Sequence, residues 1–542
     1  MKPIIIYDTT LRDGMQGEHI SFGPGEKIRI AKRLDDIGVH YIEGGWPGSN
    51  PAAIRFFEMA KEVQWKQAKL SAFGSTRKPC IQADEDANLQ ALIAAETPAV
   101  TIFGKSWTLH VQDIMNNTLQ ENLAMIEDSV AFLKHHGREV IYDAEHFFDG
   151  FFENQDYALE TLKAAVRGGT RTIVLCDTNG GTLPQDIETI TRMVDLNISM
   201  YCDSLNQDQS IQIGIHTHND CGLAIANSIA AVRSGAGMVQ GTINGYGERC
   251  GNADLISIIP LLSIKMNYSC ISPENLKKLR TLSRFVSEMA NMTPQPQRPF
   301  VGRSAFAHKG GIHVSAIMKN PKAYEHMDPE LVGNERRVLV SEQSGKSNII
   351  YKAKELGIDL GSEDIDMQQI VSTIKTMEDQ GYQFEAADAS FKILLEKLAN
   401  QFSSAFDLES FRVTIEKDKT HHCKSHATVK VCVNNQMEIT AAEGHGPVSA
   451  LDNALRKALG SFFPELNQMH LVDFKVRVID GKDGTSAKVR VLIESRDEDH
   501  IWSTIGVSED IIEASWQALS DSFLWKLNKR SLSEQTNNGV IV

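Results

Sequence analysis

Gln212-Ile213-Gly214-Ile215-His216-Thr217-His218-Asn219-Asp220 opens as a short β-branched run and ends in a cluster of polar residues. Runs of this kind recur every 25 to 40 residues from the start of the chain, at 4–7, 39–43, 70–73, 100–103, 140–143, 172–176, 212–216 and 238–242. Each is followed by a polar loop and a helix-length pattern, and strands alternating with helices imply a parallel sheet. Eight such units in about 265 residues match the size of a (β/α)8 TIM barrel. A doubly wound open sheet fits less well, because polar residues gather after nearly every strand, as in a barrel ringed by functional βα loops.

Outward from this barrel, expected over residues 1–290, the pattern changes at Thr293-Pro294-Gln295-Pro296-Gln297-Arg298-Pro299. Closely spaced prolines deny both helix and sheet ladder, so an extended linker is expected there. It leads a mainly helical connector over 291–404, with helices at 347–356 and 366–380. The alternation of Phe411, Val413 and Ile415 then begins a strand. Strands at 427–433 and 437–442 and a helix at 448–459 complete a βββα unit. The order repeats with strands at 474–479, 487–493 and 502–505 and a helix at 510–524. These two units form an α+β module over 405–530, read as regulatory or dimerising, and 531–542 is expected to be a disordered tail.

The whole chain has 542 residues, a net charge of −15 and no basic block, which argues against nucleic acid or an acidic membrane surface as its main partner. The apolar stretch 255–264 contains a proline and is about half of the roughly 20 residues a bilayer span needs. The first residues lack the features of a signal peptide. The eight cysteines form no CxxC pair, in keeping with a reducing compartment. A soluble, cytoplasmic protein is expected.

His216 and His218 lie two residues apart on one strand and so share a face, where two imidazoles can meet one cation. An HxH pair alone is more often a pair of hydrogen-bonded histidines. Its place at the C-terminal end of a barrel strand raises the functional reading. Closure makes the seventh, eighth and first strands neighbours, which brings in Asp13 from the loop Asp8-Thr9-Thr10-Leu11-Arg12-Asp13-Gly14-Met15-Gln16 and Asn252 from Gly247-Glu248-Arg249-Cys250-Gly251-Asn252. Asp13 pairing only with Arg12, or capping a helix, is the plainer alternative. Nitrogen and oxygen donors of this kind suit Zn, Mn or Co and tolerate Mg, so the divalent ion stays open. Gly345-Lys346-Ser347 has Val340 where a phosphate-binding loop needs glycine. His421-His422-Cys423-Lys424-Ser425-His426 reads as a solvated turn.

Leu-Arg-Asp-Gly-x-Gln at 11–16 with Lys27, His-x-His-Asn-Asp-x-Gly at 216–222 and Gly-Glu-Arg-x-Gly-Asn at 247–252 resemble the signatures of the α-isopropylmalate, homocitrate and citramalate synthase family. Residues 43–51 and 324–330 are most similar to its citramalate-forming branch. The resemblance implies condensation of acetyl-CoA with a 2-oxo acid, pyruvate in that branch or 2-oxoisovalerate in the leucine pathway, followed by thioester hydrolysis. It implies a metal held by Asp13, His216, His218 and Asn252, with Arg12 binding substrate and stabilising the developing alkoxide. Glu145 is implied to orient the reacting groups and Thr178 to hold the oxo-acid carboxylate. His313, with Tyr324, is implied as the proton-transfer pair, supplied by the partner subunit of a homodimer. Feedback by isoleucine through the βββα module is expected as well. A metal-dependent aldol-type lyase with the same barrel is the alternative of a different class.

Overall fold

The computed structural model describes residues 2–49, 51–205, 210–339, 346–360, 366–417, 419, 423–479, 486–498 and 500–537, with only the backbone of 347 and 529–537. Val340, Gly345, His421 and His422, which belong to the two motifs set aside above, lie outside the described residues.

The eight expected strands form, as β1 (Ile5–Asp8), β2 (Tyr41–Gly45), β3 (Lys69–Ser75), β4 (Ala99–Lys105), β5 (Glu139–Glu145), β6 (Thr172–Asp177), β7 (Gln212–Thr217) and β8 (Met238–Gly241). They close into a parallel barrel in chain order, β8 returning to β1 with Ile5 opposite Met238 and Asp8 opposite Gly241. The two-residue period sorts their side chains. Ile6, Ile42, Val140 and Tyr142 join the large core shared with the surrounding helices, whereas Tyr7, Tyr41 and Ile141 join a separate small cluster with Val174 and Met238. That second cluster is the filled interior of the barrel, so the chemistry is confined to the rim.

The proline-rich segment is not the extended linker expected from its composition. Arg298 Nη1 donates to Asn244 O and to Asp254 Oδ2, each at 2.8 Å. Ser304 N donates to Pro296 O at 2.8 Å, and Phe300, Val301 and Phe306 are buried in the barrel's core. Proline removes ladder donors but leaves carbonyls and apolar surface, and those fasten this stretch down.

The chain divides into two compact units, residues 1–306 with 327–335 and residues 307–326 with 336–542. In the second, β9 (Ala307–His308) and β10 (Arg337–Val338) pair in parallel. The connector has more helix than expected: Gly311–Lys319 and Asp388–Leu398 accompany the expected pair, found at Lys346–Glu355 and Met367–Asp379. Gly310-Gly311 hides the start of the first from a periodicity reading, yet Gly310 is its N-cap. The expected βββα pair follows. Strands β11 (Asp407–Lys417), β12 (Cys423–Val433) and β13 (Gln436–Gly444) form one antiparallel sheet and β14 (His470–Val478), β15 (Val489–Arg496) and β16 (Ile501–Ser508) another.

Helices Pro447–Leu459 and Ile511–Asn537 share a core through Leu451, Leu455, Leu519 and Phe523. Residue 404 is not a break in packing: Ala389 and Ile393 belong to that core, and Phe391 and Leu395 share another with Ile505 and Val507. The last helix runs through 531–537, where disorder was expected. Leu532, Glu534 and Gln535 are good helix formers, and no Gly or Pro interrupts them. Residues 538–542 lie outside the described residues.

Candidate metal centre

β1, β7 and β8 end side by side, as closure requires, and bring Asp13, His216 and His218 together: one donor atom from each lies within 4.8 Å of the others. His216 Nε2 is 3.4 Å from His218 Nε2 and 3.3 Å from Asp13 Oδ2. Asn252 joins them through a backbone bridge to His218, and its amide, which donates to Tyr246 O at 3.3 Å, helps to favour the ionised Asp13 carboxyl. The four are 2 to 6% exposed, yet Asp13 Oδ2 and Asn252 Oδ1 are buried without a hydrogen-bond partner. Orphaned buried oxygens facing two imidazole nitrogens are costly unless a cation takes them. The residues present therefore fit a divalent ion.

Their electrostatics agree. Burial opposes ionisation of Asp13, but the neighbouring Arg12 guanidinium above all outweighs it and holds the carboxyl below its ordinary pKa. Burial, then repulsion from His216, lowers His218 to about 3, so its imidazole is neutral and free to ligate. His216 Nδ1 faces Gln240 Oε1 at 2.9 Å, and Gln240 Nε2 donates to Asp143 Oδ1 at 2.9 Å. The amide oxygen makes Nδ1 the donor and leaves the Nε2 lone pair for a metal.

Arg12 is fixed from three sides. Nη1 lies 3.1 Å from Asp13 Oδ1, Nε donates to Glu43 Oε1 at 2.7 Å, and the guanidinium sits 3.7 Å from the centroid of Phe73. Tyr7 donates its hydroxyl to Glu43 Oε2 at 2.8 Å. Glu43, fully buried in the middle of β2, is thus the anchor of Arg12, a role the sequence did not disclose. Lys27 donates to Gly44 O at 3.1 Å, and burial brings its pKa down to about 8.

Glu145, at the end of β5, is paired with Lys105 from the end of β4. Thr178 follows β6, and its hydroxyl oxygen accepts from His146 N at 2.9 Å, while Arg249 Nη2 donates to Thr178 O at 2.7 Å. His146 takes a left-handed conformation with φ 55°, which turns the chain directly after Glu145. His313 and Tyr324 belong to the second unit, both exposed, with ring centroids stacked at 4.1 Å. Sequence reasoning missed Glu43, Lys105, Gln240 and Asp143, whose roles arise only from partners brought in by strand pairing and contacts across the barrel.

Fold and donor set together define a TIM-barrel protein with a candidate metal site at the C-terminal rim. The HMGL-like family matches residues 3–286, the homocitrate synthase post-HMGL domain-like family 300–382 and the LeuA allosteric (dimerisation) domain 385–524. The chain is 52% identical to an (R)-citramalate synthase of Aquifex aeolicus, over 97% of this chain and 98% of that protein. It is 53% identical to one of Geobacter sulfurreducens, over 98% of each. A 2-isopropylmalate synthase of Methanocaldococcus jannaschii is 32% identical, over 97% of this chain and 95% of that protein. The chain belongs to the HMGL-like family, in its citramalate synthase branch.

Proposed function

We propose that the protein is an acyltransferase that joins the methyl carbon of acetyl-CoA to the keto carbon of pyruvate and hydrolyses the thioester, giving citramalate and CoA. The observation that carries this reading is the buried set Asp13, His216, His218 and Asn252 on a chain more than half identical to citramalate synthases over nearly all its length. Synthesis of 2-isopropylmalate from 2-oxoisovalerate is the weaker reading, since the relative of that name is much less similar.

In this reading Asp13, His216, His218 and Asn252 hold a divalent ion, Mn, Mg, Zn or Co. When bound, it supplies Lewis acidity to the keto and carboxylate oxygens of the oxo acid. Arg12, held by Glu43 and Phe73, keeps a positive charge beside the keto oxygen and stabilises the alkoxide that develops there. Thr178 accepts from His146 N, which leaves its own proton to donate to the oxo-acid carboxylate. Glu145, with Lys105, orients the reacting groups.

His313 removes the methyl proton of acetyl-CoA, a task suited to imidazole's pKa, and Tyr324 stacks on it. The pair is supplied by the partner subunit of a homodimer. The match to a dimerisation domain supports a dimer, as do exposed apolar residues on the sheets of the βββα units: Ile415, Ile439, Phe474, Val476 and Val478. The reaction serves isoleucine synthesis in the cytoplasm, with isoleucine as feedback effector. Among the described residues no helix is long and apolar enough to cross a membrane.

Thiol release from acetyl-CoA, measured with pyruvate, 2-oxoisovalerate and 2-oxoglutarate in parallel, tests the reading. Pyruvate is expected to give the highest kcat/KM. Preference for 2-oxoisovalerate would move the reaction to leucine synthesis, and no release with any acid would favour the lyase.

A further inference from the structure

Condensation followed by thioester hydrolysis asks the site to take up a proton twice, and the inference below rests on that reaction. The first proton leaves the methyl group of acetyl-CoA and goes to His313 in the reading above. The second leaves the water that attacks the thioester, once the new carbon–carbon bond has formed. Most acids and bases at or near the barrel rim are committed elsewhere. Glu43 is paired with Arg12, Glu145 with Lys105 and Asp220 with Arg249. Asp177 accepts from Thr182 and Asn227, and His216 and His218 belong to the candidate ion site.

His146 keeps one nitrogen free. It follows Glu145 directly, and its backbone N is anchored on the Thr178 hydroxyl oxygen. Nδ1 lies 3.1 Å from Oδ2 of Asp149, which stands in the first turn of the helix Phe147–Glu153. An ionised carboxylate only accepts, so Nδ1 carries the proton and Nε2 keeps its lone pair. No described residue hydrogen-bonds that nitrogen, and the side chain keeps 10% of its surface open, which lets water reach it. The ring is held in place by its neighbours: His110 at 4.3 Å and Trp107 at 5.6 Å between centroids. Trp107 Nε1 and the Thr108 hydroxyl both donate to Glu153, at the end of the same helix. Burial lowers the pKa of His110, so the ring beside His146 stays uncharged. The left-handed backbone of His146 and the π-helical turn His110–Ile114 are departures of the kind that gather at functional sites.

We infer that His146, oriented by Asp149, is the general base for thioester hydrolysis. A base within reach of the reacting group, with a third group fixing its ring, is the arrangement such a step needs. Nε2 takes a proton from water as the water oxygen bonds to the thioester carbonyl carbon and the carbonyl electron pair moves to its oxygen. When that pair returns, the carbon–sulfur bond breaks, and the proton on Nε2 passes to the departing thiolate. CoA leaves as the thiol, the new carboxyl loses its proton to solvent, and His146 is neutral again.

Citramalyl-CoA supplied directly to the full-length, metal-loaded protein tests hydrolysis apart from condensation. His146→Gln is expected to slow release of CoA from it on the order of 10²–10⁴-fold. In a rapid-quench single turnover with acetyl-CoA and pyruvate, the same variant should consume acetyl-CoA at close to the parent's rate and accumulate citramalyl-CoA, read by mass spectrometry. Asp149→Asn should slow the release at least about tenfold with the same accumulation, a pattern that a merely structural role would not give. If His146→Gln does not fold, Asp149→Asn, at a half-buried position, decides. The inference is overturned if the folded variants hydrolyse citramalyl-CoA like the parent, or if condensation and hydrolysis fall together. A parent that neither condenses nor hydrolyses would sink the reaction assigned to the barrel and the role of His146 with it, whereas an active parent with unaltered variants would remove His146 alone.

Discussion

His216 turns Nδ1 to Gln240 Oε1 at 2.9 Å, and that one contact fixes which nitrogen looks into the metal centre. Gln240 is itself held by Asp143, whose carboxyl is pushed well up by burial and by the charge of Glu43. Replacing Gln240 by Met removes the acceptor while keeping the volume. Metal affinity is expected to fall about 10- to 100-fold, the usual effect of losing such a supporting contact, as read by competition with a chelating dye. Unchanged affinity would mean that His216 does not ligate through Nε2.

Arg12 is expected to resist conservative exchange. Lysine keeps the charge but cannot reach Asp13 and Glu43 together while lying flat on Phe73. Arg12→Lys should lower kcat by on the order of 10²–10³, as for loss of one donor at a developing oxyanion, with a smaller change in KM for acetyl-CoA. A kcat within about twofold of the parent would remove Arg12 from the transition state.

The depressed pKa of His218 gives acid sensitivity of a definite sign. The unfolded chain takes up this proton near pH 6.5, the folded one only near 3. Between these values the unfolded state binds more protons, so lowering the pH costs stability, by up to about 1.4 kcal/mol per unit from this one group. Urea titrations of chelator-treated protein at pH 7, 6 and 5 should show a shallower loss for His218→Gln than for the parent. Parallel curves would contradict the assignment.

Arg298 clamps the proline-rich segment to Asp254, and Asp254 also caps the helix Leu255–Pro260 by accepting from Ile256 N. Arg298→Ala leaves a buried carboxylate whose pKa burial already raises. A loss of about 3–5 kcal/mol is expected, with faster proteolytic cutting near residues 293–303. Equal stability and equal protection would show that the apolar contacts of Phe300, Val301 and Phe306 hold the segment alone.

These outcomes also mark what the sequence discloses. The strands were legible because each pairs a β-branched run with a polar end, and His216 and His218 because a strand's two-residue period puts them on one face. Asp13 and Asn252 followed from closure alone. Glu43 and Gln240 were not legible: each is one polar residue inside an apolar strand, and its meaning comes from Arg12 or His216, brought to it by tertiary contacts. The segment 293–299 misled because proline signals the absence of ladder bonds and says nothing about packing.

Metal stoichiometry measured together with turnover tests the central claim most directly. Chelator-treated protein should release no thiol from acetyl-CoA with pyruvate, and should regain activity in step with the binding of one Mn ion per chain. Asp13→Ala and His216→Ala variants that still fold should neither bind that ion tightly nor turn over. Full activity after exhaustive chelation, or in either variant, would contradict the account.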